Sequence, residues 1–149
     1  MKNSIKLILT AILFALPLVS WAQNHVTYKE NNSYFAKNES EVLMKKITSE
    51  AEFLRHFNPA FVNKDVESQK IDFKKQFVIV LTGDVTNRPT EYVINSVTEK
   101  NGELFVTYTI KENETEGSYK IKPQKILVLD MKYARMSVNY ERQIIEYRK

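Results

Sequence analysis

With no cysteine among 149 residues, the chain forms no disulfide and offers no thiolate nucleophile or Cys-ligated metal site. Its three glycines, Gly83, Gly102 and Gly117, are too few for a Gly-rich phosphate cradle. The formal net charge of +4 is too mild to point to nucleic acid as a partner.

The first segment reads as a processing signal. Lys2 and Lys6 form a positive n-region, and Leu7 to Leu18 is an uncharged apolar run of 12 residues, well short of the roughly 20 that a bilayer-spanning helix needs. Ser20-Trp21-Ala22 places small residues where a signal peptidase inspects the chain, which predicts cleavage between Ala22 and Gln23 and an exported product, periplasmic or secreted. No Cys follows the apolar run, so a lipid anchor has no attachment atom, and no stable membrane insertion is expected after cleavage. Loss of Lys2 and Lys6 lowers the charge from +4 to +2 and leaves 149 − 22 = 127 residues, a length that suits one core.

Gln23 to Ser40 is polar and Asn-rich, and is expected to be a flexible lead-in, with Val26-Thr27-Tyr28 or Tyr34-Phe35 docking on the domain. Residues 41–149 then form a single β-rich domain. Glu41 to Ile47 suggests a short strand with Val42, Met44 and Lys46 on one face. Ser49 with Glu52 makes a capping box, which predicts a helix from Ser49 to Phe57 with Phe53, Leu54 and Phe57 on one side. Asn58-Pro59 stops it, because a residue preceding proline avoids the α region. Phe73 to Leu81 contains the run Phe77-Val78-Ile79-Val80-Leu81, which fits a central strand covered on both faces.

Asn101-Gly102 is the clearest local signal, since both residues accept the positive φ of a two-residue hairpin turn. Paired residue numbers then sum to 203, so Val97 is expected opposite Val106, Val93 opposite Ile110 and Asn95 opposite Tyr108. That register gathers Val93, Val97, Leu104, Val106, Tyr108 and Ile110 on a core face. Tyr92, Ile94, Ser96, Thr98, Phe105, Thr107 and Thr109 fall on a mixed one. Asn95 is the misfit of the core face and needs a hydrogen-bond partner. Tyr119 and Ile121 make an edge strand at best, since Pro123 removes a ladder donor. Ile126 to Leu129 reads as a buried strand, and Met136, Val138 and Tyr140 as a half-buried one that Ile144-Ile145 continues. The expected fold is α+β, mostly β: a mainly antiparallel sheet or sandwich of five or six strands with one short N-terminal helix.

Chemistry-bearing residues are scarce. His25 and His56 have no second His at metal-ligand spacing, and no Ser stands in a strand-turn-helix elbow. Asp65, Glu67 and Asp72, then Asp84, then Glu112, Glu114 and Glu116 lack the glycine-centred pattern of a calcium loop and read as solvated charge. From Lys120 to Lys149, eight Lys or Arg face three acids, a basic face best read as solvated. No catalytic residue, cofactor or metal is assigned, and the expectation is a binding protein and not an enzyme.

From Ile71 onward the order of residues resembles a known family. Ile71-Asp72-Phe73 precedes a hydrophobic strand closed by Gly83. Arg88-Pro89-Thr90-Glu91-Tyr92-Val93-Ile94, the hairpin, and Pro123 before Ile126-Leu127-Val128 follow. Over about Ile71 to Val128 this is similar to the C-terminal domain of the PrcB-like family, named for a subunit of a secreted bacterial protease complex. The resemblance implies an exported accessory protein that binds and stabilises a protein partner, with a protease as precedent. The family usually has glycine where Glu91 stands, and a positive φ there would strain a glutamate. Asn87-Arg88-Pro89-Thr90-Glu91-Tyr92 is also similar to the Asn-Pro-Thr-Thr-Gly-Tyr loop of chagasin-like cysteine-protease inhibitors, with Arg88 inserted and the glycine missing. A periplasmic inhibitor is therefore one alternative, and a structural or adhesion component of the envelope another. The expected partner-binding residues are Arg88, Pro89, Thr90 and Tyr92, on a loop held between a central strand and a registered hairpin. The mixed hairpin face around Ile94, Thr107 and Thr109 is the next candidate.

Overall fold

A computed structural model describes residues 23–37, 41–60 and 69–144. The processing signal at 1–22, Asp65, Glu67 and Ile145 lie outside the described residues. The fold is α+β and mostly β, as expected, with one helix and several antiparallel sheets.

The middle of the molecule is β6 (Gln76–Thr82), the central strand. Its side chains alternate between two cores. Phe77, Ile79 and Leu81 enter one, with Leu127 and Leu129, while Val78 and Val80 enter the other, with Ile126 and Val128. A strand that is apolar on both faces requires a covering layer on each. It pairs antiparallel with β9 (Gln124–Asp130) on one side and with β4 (Met44–Ile47) on the other.

One cover is a second sheet. β7 (Thr90–Lys100) and β8 (Glu103–Glu112) form its hairpin, joined by Asn101 at φ 54° and Gly102 at φ 76°. Val97 pairs with Val106 as the turn predicts. Replacing Gly102 by Val is expected to destabilise by about 1 kcal/mol or more, because a β-branched residue resists positive φ. The midpoint of urea unfolding reads this directly.

The register does not persist along the whole hairpin. It shifts between Ile94 and Ser96, so Val93 faces Thr109, Tyr92 faces Ile110 and Ile94 faces Tyr108. Asn95 is the extra residue of a β-bulge, and one added residue exchanges the faces of everything before it. Tyr92 and Ile94 therefore turn toward the core, and the expected pairs Val93–Ile110 and Asn95–Tyr108 do not form. The bulge also resolves the misfit. Instead of entering the core, the Asn95 amide donates to Thr109 Oγ1 and Gln143 Oε1, each at 2.8 Å.

The last strand, β10 (Ser137–Arg142), runs parallel to β8, which the antiparallel reading of the fold does not anticipate. The chain reaches it through a 3-10 turn at Met131–Tyr133, crossing from the sheet of β9 to that of β8. Met136, Val138 and Tyr140 pack on the core as expected, whereas Ile144 is exposed.

The other cover is the helix layer. α1 spans Glu50–His56, and Ser49 Oγ accepts the Glu52 amide at 3.3 Å. The reciprocal half of the capping box is replaced by a Lys45–Glu52 ion pair at 2.6 Å. Phe53 and Phe57 are buried, but Leu54 is exposed, since it lies about 100° around the helix from Phe53. The strand expected over Glu41 to Ile47 is shorter, β4 beginning at Met44. Leu43, just before it, and Ile47 are buried under the helix layer, whereas Val42 and Met44 are exposed.

The Asn-rich lead-in is part of the fold over much of its length. β1 (Asn24–His25) pairs with β7, β2 (Lys29–Glu30) with β9, and β3 (Tyr34–Ala36) with β5 (Phe57–Pro59). Asn31 is buried and fully engaged: its Oδ1 accepts the Ser33 amide at 2.8 Å and its Nδ2 donates to Gln69 O at 2.7 Å. Polar composition here reflects side chains that tie backbone together.

Candidate functional site

The loop after β6 meets the loop after β8 at one end of the sandwich. Gly83 N donates to Pro123 O at 2.9 Å, and Thr86 and Ile121 exchange both amide bonds at 2.8 Å. Gly117 N donates to Asn87 O at 2.6 Å, and Asn113 N to Pro89 O at 2.9 Å. Tyr119 and Ile121 do not build an edge strand. Ile121 contributes an isolated bridge to Thr86 instead. Local side chains add to the lacing, since Arg88 N donates to Thr86 Oγ1 at 3.0 Å and Thr90 Oγ1 to Arg88 O at 2.9 Å. The two loops thus form one backbone-bonded unit.

This unit places the four expected binding residues differently. Pro89 and Thr90 line a cleft of about 400 Å³ with Glu91, Lys111, Glu112 and Ile121. Arg88 is 46% exposed and reaches Glu112 at 3.4 Å and Glu116 at 4.0 Å. Such solvent-facing pairs contribute about 0–1 kcal/mol, so the guanidinium is readily re-paired. Tyr92 is only 5% exposed and lies in the core, its ring 5.9 Å from that of Tyr108. Burial pushes its phenol pKa up, helped by Tyr108 and Asp84 and opposed by Arg142. An ideal Cβ on Gly83 would stand 3.0 Å from Tyr92 Oη, so glycine there makes room for the tyrosine. The ring faces inward, away from any partner, because the Asn95 bulge reversed this part of β7.

Beside Arg88, the unit exposes two large hydrophobic side chains. Tyr119 is 74% exposed and Val85 41% exposed. From the sequence Tyr119 has only a place in an edge strand, and the hydrogen bonds of Thr86 with Ile121 and of Asn87 with Gly117 bring its segment to the loop that carries Arg88.

Of the mixed hairpin face, Thr107 and Thr109 are buried polar residues and Ile94 packs on the core. Among the described residues no group of three or more His, Asp or Glu is placed to hold a metal ion. No helix among them is long and apolar enough to cross a membrane. The architecture defines a mostly β, α+β protein: two packed four-stranded sheets backed by one helix and a two-stranded sheet, with a laced pair of loops at one end. No protein-family model, curated protein or solved structure matches the chain.

Proposed function

We propose that the chain is an exported, non-catalytic accessory protein that associates with and stabilises a protein partner, held at the laced loop pair. The observation that carries this reading is the exposure of Arg88, Val85 and Tyr119 on loops fixed by reciprocal backbone hydrogen bonds. Tyr and Arg dominate interface hot spots, and a pre-bonded loop loses little conformational freedom on binding. The resemblance to the PrcB-like family makes a secreted protease the partner class to test first. The glutamate that departs from that family's pattern brings no backbone strain to the loop. Glu91 lies within β7, opposite Lys111, and adopts no positive φ.

Arg88→Ala combined with Tyr119→Ala is expected to weaken capture of the partner from the native envelope by at least about tenfold, or 1.4 kcal/mol. Both side chains are surface groups, so the variant should retain the wild-type melting curve. Undiminished capture by this folded variant would refute the proposed interface.

A further inference from the structure

The N-terminal segment passes from the edge of one sheet at β1 to the edge of the other at β2. At that crossing is a cleft of about 380 Å³, lined among others by Tyr28, Lys29, Lys75, Asp130, Lys132 and Tyr133. A second cleft of about 250 Å³ adjoins it, sharing Lys29, Gln76 and Val128 and adding Lys70. Together they form a groove at the end of β6 and β9 opposite the loop pair, since β6 begins there at Gln76 and ends at Thr82, just before the loop that opens at Gly83.

The groove collects four lysines against one carboxylate. Among the described residues Lys29, Lys70, Lys75 and Lys132 meet no carboxylate within ion-pair distance. The neighbouring Lys125 is already neutralised by Glu30 at 2.9 Å. Asp130 Oδ1 is occupied by the Lys132 amide at 2.8 Å. The lysines come from separate segments that are joined by backbone bonds. Lys29 pairs with Val128 in the ladder, and Met131 N donates to Lys75 O at 2.9 Å. These bonds keep Lys29, Lys75 and Lys132 on the wall of one cleft, with Lys70 on the wall of the adjoining one, and positive charges gathered in a cleft favour an anion.

Charge is accompanied by aromatic surface. Tyr28 and Tyr133 are half-buried and line the first cleft, and the Lys132 ammonium sits 4.8 Å from the Tyr133 ring centroid. Pockets that combine ring faces with a few convergent polar groups fit ligands with an apolar face and a polar rim. A sugar ring has this form, with axial C–H groups for the aromatic face and hydroxyls for Gln76, Thr27 and the remaining Asp130 oxygen.

We propose that this groove binds an anionic saccharide, with its acid groups on the lysines and its ring against Tyr28 and Tyr133. The shared chemistry is a saccharide carrying carboxylate or sulfate. It is independent of the loop pair, and the two sites lie far enough apart along β6 to be occupied together. The protein would then tie its partner to an acidic glycan.

Amide NMR titration of natively purified, isotope-labelled protein tests this with trigalacturonate, a chondroitin sulfate disaccharide, neutral maltotriose and inorganic phosphate. Saturable shifts at His25, Lys29, Lys75, Lys132 and Tyr133 are expected with trigalacturonate or the sulfated disaccharide, and the better of the two identifies the acid. Lys75→Ala with Lys132→Ala should weaken that binding by at least about tenfold, and Tyr133→Ala should weaken it without altering the response to phosphate. Absence of saturable shifts with both acidic saccharides would overturn the proposal. So would equal binding of maltotriose, or phosphate reproducing the same affinity and the same perturbed residues.

Discussion

Replacing Phe53 by Ala is expected to lower the free energy of unfolding by about 3–5 kcal/mol, the usual cost of removing a fully buried phenylalanine. Phe53 is 1% exposed, in one core with Val78, Val80 and Ile126 of the sheet, and three rings surround it. Tyr34 meets it edge-on at 5.0 Å, Phe57 stacks on it at 4.8 Å, and Phe73 lies at 5.7 Å. The helix is only seven residues long, too short to persist without a packed face. Its removal from the sheet would uncover Val78, Val80 and Ile126. A domain of ordinary stability has about 5–15 kcal/mol to lose, so the variant should unfold at markedly lower urea and lose helical signal in the same transition. Leu54→Ala, on the exposed side of the same helix, should change the midpoint little. Comparable effects at the two positions would contradict the placement of the helix.

A loss of similar size, about 3–5 kcal/mol, is expected for Tyr92→Ala. The ring belongs to the core that Leu81 and Tyr108 share, with the Tyr108 ring 5.9 Å away, and its hydroxyl end lies against Gly83. Tyr92→Phe keeps the enclosed ring and should cost no more than about 1.5 kcal/mol. The pair of variants separates the roles of the two tyrosines at this end of the molecule. Partner capture should survive Tyr92→Phe and fall with Tyr119→Ala, while stability should follow the reverse order on truncation to Ala. Calorimetric melting alongside capture of the partner reads both.

The legible parts of the fold are those specified by neighbours in the chain. Ser49 and Asn58-Pro59 bound the helix, and Asn101-Gly102 defines the turn and the pairing as far as Ser96–Thr107. The run from Phe77 to Leu81 announces a two-sided strand. What escaped depends on distant partners. Nothing in Ile94-Asn95-Ser96 encodes a bulge beyond the conflict of a polar residue on an apolar face, and that conflict is the reason the bulge exists. The short strands of the N-terminal segment have no periodicity of their own. Each is only two or three residues long and is shaped by the edge it meets. The parallel placement of β10 depends on where the 3-10 turn delivers the chain.

The candidate site divides in the same way. Arg88, Pro89 and Thr90 were visible because their loop follows a strong strand and precedes a strong turn. Tyr92 was assigned to the site because the bulge that turns it inward was not visible. Tyr119 was passed over because its place in the loop pair rests on the Thr86–Ile121 hydrogen bonds, between residues more than thirty apart in the chain. Two further lines of lacing, Asn87–Gly117 and Pro89–Asn113, join residues 30 and 24 apart.

Hydrogen–deuterium exchange of the protein with and without its captured partner tests the binding role of the loop pair most directly. The account predicts added protection in 83–90 and 113–123, with the outer edge of the first sheet and the basic groove unchanged. Protection confined to other surfaces, with these two segments exchanging as in the free protein, would contradict it.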